Sequence, residues 1–126
     1  MLNFVNVMGR LTADPVLRRT QGDVAVCSFD VAVERDIKTN GEKETDFFHV
    51  VAWRNTAEFV AKYMGKGSMA VVAGRLQNRS WTTDNGDKRT VTEIVANNVY
   101  FGESKTQNPK SPSFMDVDMP DDDLPF

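Results

Sequence analysis

Apolar and polar residues alternate with a period of two along most of the first hundred positions, which is the spacing of β-strands that bury one face. In the stretch from Val24 to Arg35, for example, one parity is apolar throughout and consists of Ala25, Cys27, Phe29, Val31 and Val33. Turn-forming pairs such as Asn-Gly separate the alternating stretches. The pattern predicts five strands, at residues 3–11, 24–35, 46–53, 68–81 and 89–101.

One helix is predicted between the third and fourth strands. Asn55 is its expected N-cap, and Glu58 stands at the capping-box position. An apolar stripe at helical spacing, expected to pack in the core, consists of Phe59, Val60, Tyr63 and Met64. Five strands with one helix after the third is the element order of the OB fold, a partly open Greek-key barrel that binds oligonucleotides or oligosaccharides. We therefore predict an all-β chain of this class.

The character of the sequence changes after residue 103. Residues 1–103 carry 13 Lys and Arg against 13 Asp and Glu, whereas residues 104–126 carry 2 against 5, so the net charge of −3 belongs to the second segment. Residues 102–113 are rich in Ser, Asn, Pro, Lys and Gln and have almost nothing apolar to bury, which predicts a disordered linker. We predict a folded domain over 1–103 and a disordered, acidic tail over 104–126. Because the domain is neutral, evidence for nucleic-acid binding has to come from residue patterning.

Several classes of protein do not fit the sequence. No apolar run approaches the roughly 20 residues that span a bilayer, and the start of the chain lacks a secretory signal, so we expect a cytoplasmic protein. The single cysteine, Cys27, suits a small buried side chain and has no neighbour at metal-ligand spacing. There is no glycine-rich phosphate loop, and carboxylates such as Asp30 are expected to be merely solvated. We expect neither an enzyme nor a bound metal or cofactor.

Both parities of the third predicted strand are apolar, although only one can face the core of a single sheet. The outward parity carries Phe47, His49 and Trp53. A second strip on one parity of the fourth predicted strand consists of Arg75, Gln77, Arg79 and Trp81. Unpaired bases offer π faces that stack on aromatic rings, and Arg neutralises phosphate or stacks on rings. The strips therefore favour a surface for single-stranded nucleic acid.

Other interpretations of these strips remain open. Aromatic residues such as Phe47 and Trp53 also pack in subunit interfaces, and Trp81 can be a packing residue at a hairpin end. In that case the chain is a protein-interaction adaptor. A lone histidine such as His49 is more often a structural residue than a ligand or a catalyst.

The last six residues have a composition that solubility alone does not require. Three aspartates precede an apolar end, where the last phenylalanine also carries the α-carboxylate. This chemistry suits a partner pocket that takes the ring and surrounds it with Lys or Arg. The sequence thus predicts a protein-docking tip formed by Asp121, Asp122, Asp123, Leu124, Pro125 and Phe126.

Taken in order, these residues resemble the bacterial single-stranded DNA-binding protein family. The resemblance covers nearly the whole chain and is carried by the order and spacing of short segments: Val7-Met8-Gly9-Arg10-Leu11, Asp14-Pro15 with Arg18, residues 29–33, Asp46-Phe47-Phe48-His49-Val50-Val51, Ala57-Glu58, Lys66-Gly67-Ser68, Gly74-Arg75-Leu76, Arg79-Ser80-Trp81, Thr92-Glu93 and the Asp-Asp-Asp-Leu-Pro-Phe end.

The resemblance implies an OB-fold domain without catalysis that assembles as a homotetramer and wraps single-stranded DNA in replication, recombination and repair. It implies a nucleoid-associated protein whose acidic tip brings replication and repair enzymes to the DNA. The DNA contacts it implies are the aromatic residues Phe47, Trp53 and Trp81 and the basic residues Arg10, Arg18, Arg75 and Arg79, with His49 on the same strip as Phe47. A further stacking aromatic is common in the family near the end of the second strand, where this chain has Ile37 or its neighbours.

Overall fold

The structure, a computed structural model, describes residues 1–37 and 40–103 of the chain. Both the predicted linker and the predicted docking tip fall within 104–126, outside the described residues. In chain order the described elements are β1 (Val5–Leu11), β2 (Val16–Arg19), β3 (Ala25–Glu34), β4 (Thr45–Trp53), α1 (Arg54–Tyr63), β5 (Met69–Thr82) and β6 (Lys88–Phe101).

Five of these strands close into a barrel in the order β1-β5-β6-β4-β3, with β1 pairing back onto β3. The β4–β6 pair is parallel and the other pairs are antiparallel. At the closure, a Cβ on Gly9 would lie 2.5 Å from the carbonyl oxygen of Ala32, so the two backbones approach closely enough to require glycine. The barrel with one helix between its third and fourth strands confirms the predicted fold class.

β2 is an additional strand that the alternation pattern did not predict. It pairs with β3 from Val16 opposite Ser28 to Arg19 opposite Ala25 and so widens the sheet beyond the barrel. All four of its residues are exposed, so no buried face imposes an apolar period on the sequence. Its position brings Arg18 beside β3.

The core lies inside the barrel and under the helix. Its largest fully buried side chains come from all the barrel strands and from α1, and they are Leu11, Cys27, Val31, Val50, Val60, Val72 and Ile94. Burial raises the pKa of the Cys27 thiol, chiefly because the thiolate would lose its hydration there. Cys27 is therefore the small buried side chain that the alternation predicted.

The helix begins one residue earlier than its predicted cap. Trp53 occupies the N-cap position without a side-chain capping bond, so the prediction of Asn55 as N-cap is wrong, since Asn55 already lies in the first turn. Glu58 instead accepts a hydrogen bond from Arg19 at 3.3 Å. Val60 and Met64 are buried as predicted, whereas Tyr63 is exposed. No helix in the described part of the chain is long and apolar enough to cross a membrane.

A bulge in β6 determines which of its residues face outward. The pairing with β5 skips Asn97, so residues on opposite sides of the bulge change parity. Ala96 and Val99 are consequently both buried, although they are three positions apart. Glu93 and Val95 lie on the opposite parity from Ala96 and contribute to the outer face of the sheet.

Candidate nucleic-acid interface

The outer face of β4 carries the predicted aromatic strip. Val50 and Ala52 are fully buried in the core, so the other parity of the strand faces outward. On that parity Phe47 is 65% exposed and Trp53 is 43% exposed. The predicted assignment of the two parities is therefore confirmed, and both rings are accessible in the isolated chain.

The second strip lies on the outer face of β5. Trp81 is 43% exposed, and the guanidinium carbon of Arg79 lies 4.9 Å from the centroid of its ring. This is the geometry of a cation–π contact. Further along the same face, Arg75 Nη2 donates a hydrogen bond to Gln77 Oε1 at 3.0 Å.

β6 lies between β4 and β5 and joins the two strips into one groove. The groove consists of two adjoining depressions that share the side chains of His49, Arg79 and Glu93. The first has a volume of about 340 Å³ and is also lined by Phe47 and Trp81. The second, of about 620 Å³, is also lined by residues of β2, β3, β4 and β5 that include Arg18, Trp53 and Gln77.

Two carboxylates lie among these aromatic and basic side chains. Glu93, only 5% exposed, accepts hydrogen bonds on Oε2 from Arg79 Nε at 3.2 Å and Nη2 at 2.9 Å. The hydrogen bond to Glu93 is the main reason that the pKa of Arg79 is raised above its ordinary value. His49 Nδ1 lies 2.7 Å from Asp30 Oδ1, and its Nε2 lies 3.6 Å from Glu93 Oε2. The expectation that Asp30 is merely solvated is thus wrong, because it also orients the imidazole.

Sequence reasoning missed Glu93 as a member of the site. The available signal was register: Glu93 pairs with Gln77 across β5 and β6, and Asp30 pairs with His49 across β3 and β4. Once those strands are aligned, Glu93 and Asp30 share a face with the predicted strips. The bulge at Asn97 hides this relationship from a simple period-two count.

The structure separates the four predicted arginines. Arg18 lines the second depression and has no ion pair within residues 1–37 and 40–103. Arg75 lies on the same face of β5 as Arg79 but lines neither depression. Arg10 lines neither depression, and its Nη1 donates to Glu103 Oε1 at 2.8 Å and to the carbonyl oxygen of Gly67 at 2.9 Å. The groove therefore brings together the three predicted aromatic residues, His49 and two of the four arginines, Arg18 and Arg79.

Ile37 lies in the connection between β3 and β4, at the place where a stacking aromatic is common in the family that the sequence resembles. It is 79% exposed. At the start of this connection, Arg35 donates hydrogen bonds to both carboxylate oxygens of Asp46, at 3.0 and 2.9 Å, and to Glu44 at 2.9 Å. These ion pairs hold the end of β3 and the start of β4 together.

Comparison with known proteins gives one consistent result. Residues 2–102 match the family model described as the single-strand binding protein family. Among curated relatives, "Single-stranded DNA-binding protein 2" of Listeria monocytogenes serovar 1/2a is 49% identical over 109 residues, which are 86% of this chain and 68% of that protein. "Single-stranded DNA-binding protein 3" of Listeria innocua serovar 6a is 50% identical over 83% of this chain and 66% of its own length. The "Single-stranded DNA-binding protein" of Staphylococcus aureus strain MRSA252 is 46% identical over 86% and 70%, so this chain spans about two thirds of such relatives.

Proposed function

Because this chain belongs to the single-strand binding protein family, a family of non-enzymatic DNA-binding proteins, we propose that it binds and protects unpaired DNA in the groove between β4 and β5. Binding is independent of base sequence, because ring faces and guanidinium groups engage features that every nucleotide shares. On this proposal the protein acts in the cytoplasm, on single strands exposed during replication, recombination and repair.

One observation carries the proposal: three large aromatic side chains stay exposed on one face of the barrel. Phe47, Trp53 and Trp81 are between 43% and 65% exposed. Covering each ring would lower the free energy, since burial of apolar surface is favourable by roughly 25 cal/mol per Å². A nucleobase offers a flat surface of suitable size, and stacking contributes about 1–3 kcal/mol for each base.

Arginine side chains supply the contact with phosphate. Arg18 and Arg75 have no carboxylate partner within the described residues, so their charge is available to a strand that follows the groove. Each phosphate contact releases condensed counterions, which makes the affinity fall as salt rises.

The test of this function compares unpaired and paired DNA of the same length. A fluorescently labelled oligo-dT is titrated with the protein and followed by anisotropy, and a duplex of equal length and a mixed-sequence single strand are used as competitors. We expect both single strands to compete and the duplex not to compete. Competition by the duplex at equal concentration would refute stacking as the basis of binding.

We also propose that the acidic tip at residues 121–126 docks partner proteins of replication and repair. The proposal rests on its composition: Leu124 and Phe126 supply apolar side chains, and Asp121, Asp122 and Asp123 supply negative charge. A pocket with an apolar floor and a rim of Lys or Arg is the complementary surface.

Assembly as a homotetramer is the third part of the proposal. Met8, Val71 and Tyr100 are register neighbours across β1, β5 and β6, and Met8 and Tyr100 are 50% and 55% exposed. An apolar row of this kind on the outside of a barrel is suited to contact with another subunit. Sedimentation equilibrium of the full chain tests the stoichiometry, and a monomer at micromolar concentration would contradict it.

A further inference from the structure

Glu93 presents a physical problem in a groove that binds a polyanion. Among the described residues it is the one buried charged or polar side chain, and it lines both depressions. A negative charge there repels phosphate, and burial of a charge is costly unless it is paired. A role in the geometry of the groove would account for its presence.

The contacts of Glu93 fix one neighbouring side chain in place. Arg79 points two N–H groups, Nε and Nη2, at the single oxygen Oε2 of Glu93. A planar guanidinium held along its Nε edge has little freedom to rotate. Glu93 itself is immobilised by burial, so the pair behaves as a rigid bracket between β5 and β6.

The bracket ends at an aromatic ring. Arg79 and Trp81 are two positions apart on β5 and therefore project from the same face. The Arg79 guanidinium carbon is 4.9 Å from the Trp81 ring centroid, so the guanidinium covers one side of the indole. Trp81 remains 43% exposed, so part of the ring is accessible to a base.

We infer that Glu93 is a positioning residue that holds Arg79 against Trp81, so that Arg79 supports the stacking ring instead of acting as a phosphate ligand. The inference rests on the proposed function and changes the role expected of Arg79. The charge of Arg79 is matched by Glu93, whereas Arg75 bonds the neutral Gln77 and has no carboxylate partner among the described residues. Of these two arginines on β5, Arg75 is therefore the phosphate contact.

A lysine substitution separates the two roles of an arginine. Lysine keeps the positive charge for phosphate, but it lacks the planar fork that binds Glu93 and covers the indole. We expect Arg79→Lys to weaken oligo-dT binding roughly fivefold, the low end of what one stacked base contributes. The matched control Arg19→Lys makes the same exchange at an arginine that pairs with Glu58 and lines neither depression, and it binds like the parent protein. Equal affinity of Arg79→Lys and the parent, or equal losses in both lysine variants, would overturn the inference.

Trp81 itself reports on the bracket in the absence of DNA. The chain has two tryptophans, so a Trp53→Phe background leaves Trp81 as its only indole. In that background we expect Glu93→Gln to make Trp81 more accessible to acrylamide, because Arg79 leaves the ring. The released Arg79 also steepens the dependence of log affinity on log salt by about 0.7, the value for one added phosphate contact on a single strand. Unchanged accessibility together with an unchanged salt dependence contradicts the inference.

These experiments distinguish a failure of the inference from a failure of the proposed function. If the parent chain does not bind oligo-dT at all, the proposed function fails, while acrylamide accessibility still tests the bracket in free protein. If Glu93→Gln does not fold, Arg79→Lys, which changes a half-exposed side chain, decides the matter by affinity and accessibility alone.

Discussion

Phe47 on β4 and Ala32 on β3 face each other across the sheet as register partners, and the Phe47 ring remains 65% exposed beside the small alanine. The neighbouring pair, Phe48 opposite Val31, points the other way, with Val31 fully buried. Two consecutive phenylalanines thus have different environments: Phe48 packs against the core, and Phe47 lies open in the groove.

Substitution of Phe47 by alanine should weaken binding without weakening the fold. We expect Phe47→Ala to reduce oligo-dT affinity by about 1–3 kcal/mol, the contribution of one stacked base. Stability should change by less than about 0.5 kcal/mol, as for most exposed positions. Anisotropy titration and urea unfolding measure the two quantities.

Phe48→Ala is the matched control, because Phe48 packs against the barrel core. It should lower the free energy of unfolding by roughly 2–3 kcal/mol through lost burial. A Phe47→Ala variant that unfolds as easily as Phe48→Ala would show that Phe47 is a packing residue.

Arg18 and Arg10 should differ in how they affect the salt dependence of binding. Arg18→Gln removes a free charge from the groove, so the slope of log affinity against log salt should become shallower by about 0.7. Arg10→Gln removes the same charge outside the groove, where Glu103 already compensates it. Because screening limits exposed charges to about 10 Å at 0.1 M salt, we expect this slope to change little. A larger change of slope in Arg10→Gln than in Arg18→Gln would show that Arg10 contacts the DNA.

The ion pair between Arg35 and Asp46 predicts a pH dependence of stability. The hydrogen bond from Arg35 lowers the pKa of Asp46 from its ordinary value of 3.8. A carboxyl group with a lower pKa in the folded state stabilises above the unfolded-state pKa and loses that contribution as the pH falls through the folded-state pKa. Wild type should therefore unfold at a higher temperature than Asp46→Asn at about pH 6, and the gap should narrow towards about pH 3. Asp84→Asn, at the hairpin turn, is the control, and an unchanging gap for Asp46→Asn would contradict the assignment.

Deletion of residues 121–126 should separate DNA binding from partner capture. Removal of negative charge should leave oligo-dT affinity unchanged or higher, since a competing anion is lost. The same deletion should abolish capture of replication and repair proteins that the full chain retains. Phe126→Ala, which keeps every charge of the tip, isolates the role of the ring. Loss of DNA binding on deletion would refute the proposal that the groove binds DNA and the tip binds partner proteins.

Much of the fold could be predicted from the sequence because the barrel buries one face of each strand. The predicted boundaries of the strand containing Cys27, and of the strand from 46 to 53, lie within one residue of those observed. β2 could not be predicted in this way, because its exposed residues carry no apolar period. The helix start was misplaced because Trp53, without a side-chain cap, occupies the N-cap position.

The candidate site was partly predictable for the same reason. Parity alone selects Phe47, Trp53, Arg79 and Trp81, since residues two apart on a strand share a face. Glu93 depends on the register between two strands and on a bulge, which are properties of the folded sheet. Its pairing with Arg79 becomes visible only when β5 and β6 are aligned.

Tryptophan fluorescence of two single-indole variants tests the central claim most directly. Trp53→Phe leaves Trp81 and Trp81→Phe leaves Trp53, and each variant is titrated with oligo-dT and with a duplex of equal length at low and high salt. Stacking in the groove predicts that the single strand quenches both indoles, that the duplex quenches neither, and that more single strand is needed at high salt. If saturating single strand leaves both emissions unchanged, the aromatic groove does not bind DNA, and its rings belong to a protein interface.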